Sequence, residues 1–382
     1  MKLIQPRLNY SFNFRSIVKS LRNIFLNVNS SNYLYSLFDS KEIYFFNHAR
    51  NGLTQILSLL PQGTVVGVQP FTCSTVLESI ERANCKIYFI DINDQFVINT
   101  EALQRCVNKI DVLILTHTFG SIVSFENIRK IMGNKLVIED CAHAFLSREN
   151  DELAGKRGDF SIFSFGFGKF LSSLSGGFVM VNNEKFISLF SEKYNLVPVS
   201  GIISELKNFI FSLLSSFLHL PFFYTFITIN LKRKNYNHFK TKLSKITKAY
   251  KSSIAVFNLL IDQSPSLLDI QKKNANTLFS SVKKNSYFEI CQELTMEDNG
   301  FMLPVKVSDP DKFINSVLKE GIEIGKHFYQ SKYFINDFGY KSGSCPHYEK
   351  LIEQYVVLPT HYAYPSQKIK CLSEFIEKYK NE

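Results

Sequence analysis

Between residues 64 and 182 the chain repeats one unit, a short unbroken apolar run followed by a stretch with helical spacing. The runs are TVVGVQP (64–70), KIYFID (86–91), DVLILTH (111–117) and KLVIED (135–140). A strand that is apolar on successive residues has both faces covered, and the helices that alternate with it supply the cover. The segment therefore predicts an α/β domain on a mostly parallel sheet. Helices are expected through Ala83, from Asn99–Thr100 with Glu101 in the first turn, and from Ser124 to Met132. FSIFSF (160–165) and FVMVN (178–182) extend the sheet.

At 382 residues the chain has room for a second domain. After Leu231 the texture changes to basic helices, with a helix over roughly 246–283, a strand-like FMLPVKV (301–307) and a closing helix, SQKIKCLSEFIEKY (366–379). The expected division is a large domain over 1–235 and a smaller C-terminal α+β domain over 236–382.

Seven scattered cysteines with no CxxC pair fit neither a disulfide framework nor a metal site. With no signal-like apolar run in MKLIQPRLNYSFNFRS, the expectation is a reduced, cytoplasmic protein without metal. Of the net charge of +10, eight positive charges lie between Lys232 and Lys251, where no acidic residue occurs. Such a block suits an anionic membrane surface or a phosphate-bearing substrate. No nucleic-acid motif accompanies it, so nucleic acid is not an expected partner. A solvated helix face accounts for it equally well.

The adjoining FIFSLLSSFLHLPFFYTFITINL (209–231) has the length to span a bilayer, yet Pro221 and seven polar residues interrupt it. Three readings stay open: two short helices lying in the membrane interface with Lys232–Lys234 at their edge, a buried insertion at a subunit interface, or a true span. The first would place the protein at the inner face of the membrane.

Chemistry concentrates in VIEDCAHAFLSRENDELAGKRGDFSIFSFGFGKFLSSLSGG (137–177). It delivers Asp140 to a strand's C-terminal end, where α/β sheets place ligands. It ends on Lys169 among Gly166, Gly168, Ser172, Ser173, Gly176 and Gly177, small residues that admit a planar group close to the backbone. An enzyme that uses pyridoxal 5′-phosphate needs a lysine amine for covalent attachment and proton transfer. It needs a carboxylate that keeps the pyridine nitrogen protonated. It also needs hydroxyls and helix-terminal amides for the phosphate. Lys169, Asp140, Ser164 and the turn Ala49, Arg50, Asn51 can supply these parts.

Several motifs then line up in order. HARNGLTQIL is similar to an SGTxAL turn and helix, VQPFTCSTVLESIERANCKIYFIDIN to a P-x-x-T strand and its successor, and THTFG to VHLYG. IEDCAHA is similar to IEDAAQA, GDFSIFSFGFGK to GDxxxFSFxxxK, and LPTHYAYPSQKI to LPxHxxLSxxEI. Over roughly residues 44–375 the chain resembles the DegT/DnrJ/EryC1/StrS family of sugar aminotransferases, of the aspartate aminotransferase-like fold type I.

The resemblance implies a homodimeric enzyme that moves an amino group from glutamate to a nucleotide-linked keto-deoxysugar, for surface polysaccharide or related amino-sugar biosynthesis. It implies Lys169 as the Schiff-base lysine, Asp140 at the pyridine nitrogen, Ser164 on the phosphate and His143 near the cofactor's O3′, where the family has Gln. The cofactor pocket is further expected to include Ala49, Arg50, Asn51, Phe71, Thr72 and Cys73; as Cys73 replaces the usual aromatic, either Phe71 covers the ring or no aromatic does. His327 and Tyr329, in GKHFYQ, are expected at the substrate mouth. Gly166 departs from a family His, and the family's Asn-Tyr-Arg segment maps either to Asn235–Asn237 or, by alignment through SSIAVFNLL, to Lys245. Sugar dehydratases of the family carry His in place of the lysine, so Lys169 favours the transaminase; the other alternative is a non-catalytic, membrane-attached homologue.

Overall fold

A computed structural model of the chain describes residues 2–8, 10–11, 32–230 and 244–380. Its large sheet has seven strands: β1 (Ile43–Phe46), β2 (Val65–Val68), β3 (Lys86–Phe89), β4 (Val112–Thr116), β5 (Leu136–Asp140), β8 (Phe160–Ser164) and β9 (Gly177–Val181). Their order is β1-β9-β8-β5-β4-β2-β3. β8, β5, β4, β2 and β3 run parallel, while β9 pairs antiparallel with both β8 and β1. A short ribbon of β6 (Arg148–Glu149) and β7 (Glu152–Leu153) stands apart from this sheet.

β4 and β9 are buried at every residue, as their unbroken apolar runs predict. Around the sheet lie α1 (Asn32–Phe38), α2 (Ala49–Leu57), α3 (Ser74–Arg82), α4 (Thr100–Cys106), α5 (Phe125–Met132) and α6 (Glu184–Asn195). The start expected at Asn99 is made by its side chain, which accepts from the Ala102 amide at 2.9 Å. A stack of phenylalanines, with Phe163 and Phe178 4.5 Å apart, fills the space beneath β8 and β9.

α7 (Ile202–Leu218) and α8 (Pro221–Asn230) follow, then α9 (Lys251–Ile261) and α10 (Ser264–Lys283). The single helix expected over 246–283 is thus two. Pro265 cannot return an N–H to the Ile261 carbonyl and its ring would clash there, so the first helix ends at Ile261. The smaller layer is the antiparallel sheet of β10 (Phe288–Ile290), β11 (Met302–Val307) and β12 (Tyr355–Pro359), covered by α10, α11 (Pro310–Lys319) and α12 (Ser366–Lys378). The division expected at 235/236 falls outside the described residues. Val256 and Phe257 of α9 pack into the core of the large sheet, and the second core begins with Leu278 of α10.

The N-terminal segment crosses between the two units. Gln5 bridges Ile322 of the smaller one, and Ser11 accepts from the Ser172 amide at 2.8 Å in the larger. No single helix among the described residues is long and apolar enough to cross a membrane; α7 and α8 pass that test only as a pair bent by 80°.

Candidate active site

The C-terminal ends of β4, β5 and β8, the start of α2 and the loop after β8 enclose a cavity of about 280 Å³. Thr116, Asp140, Ser164 and Lys169 all line it, with Ala49, Arg50, Thr72, Cys73 and His143. The parallel register sets three of these ends side by side, Thr116 opposite Asp140 and Asp140 opposite Ile162.

Lys169 sits in the turn between β8 and β9, its amide donating to the Gly166 carbonyl. Burial lowers its pKa, and the Asp140 carboxylate pulls the other way. Gly168 and Gly176 flank it with positive φ; a Cβ on Gly176 would meet the Phe165 ring at 2.2 Å, so only glycine closes this turn. His361, from the smaller unit, anchors the lysine backbone. Its Nε2–H reaches the carbonyls of Lys169 (3.2 Å) and Phe170 (3.1 Å), while Nδ1 accepts from the Ala363 amide. LPTHYAYPSQKI contains this residue, but its role emerges only once the two units are packed together.

Burial pushes the His361 pKa down to about 4. The folded ring refuses a proton that the unfolded chain accepts below about pH 6.5, so stability falls as pH drops from there to about 4. Two carbonyls and one amide lose their partner in His361→Ala, an expected loss of about 1–3 kcal/mol at neutral pH. Urea unfolding at several pH values should also show a shallower acid slope in the variant.

Asp140 is buried, and its Oδ1 accepts from the Ala142 amide at 3.0 Å. Burial raises its pKa against the pull of that amide and of Lys169. A cation brought against the carboxylate would supply the counter-charge it lacks.

His143 accepts the Phe119 amide on Nδ1 at 3.3 Å, so its ring proton is on Nε2. Burial, with Lys169 and His327 nearby, keeps the ring far below its usual pKa and neutral. It is held between Phe328 (5.4 Å, 10°) and Phe119 (6.1 Å, 18°), both with left-handed backbones. His143 therefore offers the cavity a neutral N–H donor, which settles the tautomer that sequence leaves open.

At the other end His48 caps α2 without a side-chain hydrogen bond, and the first helical residues, Ala49 and Arg50, face the cavity. Free amides at such a terminus attract anions, and Ser164 lines the same space.

Four expected residues do not line the cavity. Phe71, in the bend after β2, is fully buried and packs against Phe96 (4.8 Å) instead of lining the cavity. Asn51 points away, donating to Asn47 Oδ1 at 2.6 Å and to Ser244 Oγ at 3.2 Å. Tyr329 lies outside as well, its hydroxyl donating to Glu353 at 3.1 Å. His327 packs 5.2 Å from His143 without lining the cavity, and its neighbour Phe328 enters instead. Phe328 was not singled out from the sequence; only its left-handed turn swings it inward. Asn235–Asn237 lie outside the described residues, and the Lys245 carbonyl accepts from Asn47 of the same chain at 2.9 Å.

Behind Asp140, Glu139 points to the opposite side of β5 and takes the amides of Gly155, Arg157 and Gly158. His117 Nε2 lies 2.9 Å from it, and His117 Nδ1 accepts from Val123. His117, Glu139 and Cys141 group their donor atoms within 4.8 Å. Yet the imidazole has no lone pair left for a metal, so the cluster is a structural knot.

Residues 49–201 match the DegT/DnrJ/EryC1/StrS aminotransferase family. A UDP-4-amino-4,6-dideoxy-N-acetyl-beta-L-altrosamine transaminase of Campylobacter jejuni is 28% identical over 150 residues, 38% of this chain and 39% of that protein. The chain thus spans about two-fifths of that curated relative's length. A GDP-4-keto-6-deoxy-D-mannose 3-dehydratase of Yersinia pseudotuberculosis is 22% identical over 336 residues, 83% of this chain and 80% of that one. Among solved structures, AtS13 from Actinomadura melliaura superposes with a TM-score of 0.77 at 16% identity, covering 100% of both chains. Helicobacter pylori PseC, an aminotransferase involved in the biosynthesis of pseudoaminic acid, gives 0.74 at 16% identity over 99% of both. At these identities the likeness shows the fold, and fold type I is the architecture expected above. The strands, helix start and lysine turn that build the cavity lie within the residues that match the DegT/DnrJ/EryC1/StrS aminotransferase family.

Proposed function

We propose that the protein holds pyridoxal 5′-phosphate on Lys169 and transfers an amino group, with glutamate as donor, to the keto carbon of a nucleotide-linked deoxysugar. The observation that carries this reading is one cavity faced by a part-buried amine, a buried carboxylate and an open helix N-terminus. The donor set fits the cofactor: Ala49, Arg50 and Ser164 would hold the phosphate, Asp140 the pyridine nitrogen, His143 the ring oxygen and Lys169 the aldehyde carbon. When bound, the cofactor supplies an electron sink for the carbon that loses or gains its proton.

The remaining work belongs to the chain. Burial leaves Lys169 Nζ easier to deprotonate than a surface lysine, so it can take a proton and return it on the same face. Asp140 would remain ionised opposite a cationic ring nitrogen. His143 donates without carrying charge, and Phe328, stacked on its ring, lines the cavity beside it. Retention of Lys169 sets the chain apart from the dehydratase alternative.

The same reading makes the protein a cytoplasmic homodimer, with peripheral contact to the inner face of the membrane through 209–231 and the basic 232–251. Borohydride trapping followed by peptide mass analysis should place the cofactor adduct on Lys169. Incubation with glutamate and a panel of nucleotide keto-sugars should yield an aminated sugar. A deoxygenated product would favour the dehydratase, and no adduct at all would favour the non-catalytic homologue.

A further inference from the structure

α7 is built inside out. Four of its polar side chains bond to the protein while Ser204 and Lys207 are exposed: Glu205 accepts from Ser252 Oγ (2.8 Å), Asn208 donates to Ser253 (3.2 Å), and Ser212 donates to the Leu174 carbonyl (3.2 Å). Ser215 accepts from the Tyr10 hydroxyl at 2.7 Å. Most of its apolar side chains, among them Ile203, Phe211 and Leu214, are exposed, while Phe209 and Leu213 pack partly buried against the core. α8 continues the surface with Phe222 and Phe226. Among the described residues, 14 of the 22 exposed large apolar side chains lie between Leu196 and Phe226. A helix in water turns its polar stripe outward, so this arrangement fits an apolar surrounding.

Charge decides between the candidate occupants. Lys232 follows Asn230 by two residues in sequence and opens the block of eight positive charges without an acidic residue. A second copy seated symmetrically on this face would bring two such blocks together. An anionic bilayer surface complements them.

The hairpin also shares a wall with the cavity. Phe167, two residues before Lys169, lines the cavity, and its ring lies 4.7 Å from His219 at the α7–α8 corner and 4.6 Å from Tyr10.

We propose that α7 and α8 form the docking face for an anionic lipid bilayer and that docking sets the Phe167 rim of the cavity beside the lipid surface. This rests on the peripheral membrane contact read above and adds which residues make it and where it puts the active site. The ligand of the cavity would then be exchanged next to the membrane.

The chain contains no Trp, so single reporters can be read without background. Full-length protein carrying Phe222→Trp, Phe167→Trp or, as a remote control, Tyr333→Trp is mixed with phosphatidylglycerol–phosphatidylcholine vesicles containing brominated lipid, and with phosphatidylcholine vesicles alone. Phe222→Trp and Phe167→Trp should shift to the blue and be quenched with the anionic vesicles, reversibly by salt, while Tyr333→Trp stays unchanged. The triple variant Phe211→Ser/Leu214→Ser/Phe222→Ser should float with the anionic vesicles about tenfold more weakly and keep its cofactor spectrum. Quenching at Phe222→Trp without Phe167→Trp would overturn the placement of the rim. No vesicle response would overturn the docking face. So would a blue-shifted Phe222→Trp in buffer alone; a triple variant that then loses its oligomeric state would assign the surface to a second copy. None of these readouts uses substrate, so they stand or fall separately from the aminotransferase reading.

Discussion

If the proposed function holds, Lys169→Ala is expected to lower amino transfer by about a thousandfold or more, because one amine would serve both as attachment point and as proton carrier. Lys169→Arg should do no better. A guanidinium keeps the positive charge, yet its pKa is too high for it to give up a proton near neutrality. The check is turnover in single-turnover mode, with and without added methylamine. A small amine that enters the 280 Å³ cavity should restore part of the rate in Lys169→Ala and none in Lys169→Arg, where the side chain still fills the space. Activity above about a tenth of the wild-type value in Lys169→Ala would remove the lysine from the reaction.

The largest loss of stability is expected not from the cavity but from the residue behind it. Glu139 is buried, accepts three backbone amides and meets His117 at 2.9 Å. Glu139→Ala strands all four groups where water does not reach, an expected cost of about 3–5 kcal/mol by analogy with breaking a buried ion pair. Glu139→Gln should recover only part, since its amide end repeats a donor where acceptors are needed. Burial works against the Glu139 charge, but the His117 partner and the Gly158 and Gly155 amides hold its pKa below the usual carboxylate value. The stability it contributes is therefore full above the ordinary Glu pKa and is lost as pH falls through the lower, folded value. Denaturant unfolding of wild type and Glu139→Ala from neutral to acid pH should show curves that converge at the acid end. A neutral-pH difference under about 1 kcal/mol would show that the 155–158 turn has another support.

How far the site could be read in advance depended on where each residue gets its position. Asp140, Ser164 and Lys169 follow from strand ends and a glycine-rich turn, and these are local matters. Their meeting in one cavity follows from parallel register, which apolar runs make readable. Thr72 and Cys73 line the cavity, but Phe71, in the bend after β2, is buried against Phe96, a placement that no local periodicity announces. Asn51 is the next helical residue after Ala49 and Arg50, and the step of about 100° per residue turns it from the cavity toward Ser244. His361 and Phe328 reach the site from more than 150 residues away, and nothing in their local spacing announces it.

The sequence by itself determined the α/β class, the strand that carries Asp140, the lysine turn and the apolar, then basic, character of 209–251. Periodicity and composition suffice for those, because each is decided within a few turns of chain. Tertiary structure alone decided which ring nitrogen of His143 holds the proton, which aromatic lines the cavity beside its ring, and which way α7 turns its apolar side. Those depend on partners distant in sequence: a backbone amide at Phe119, a left-handed turn at Phe328, and the polar anchors of Ser252, Ser253 and Tyr10 that hold α7 with its apolar face outward.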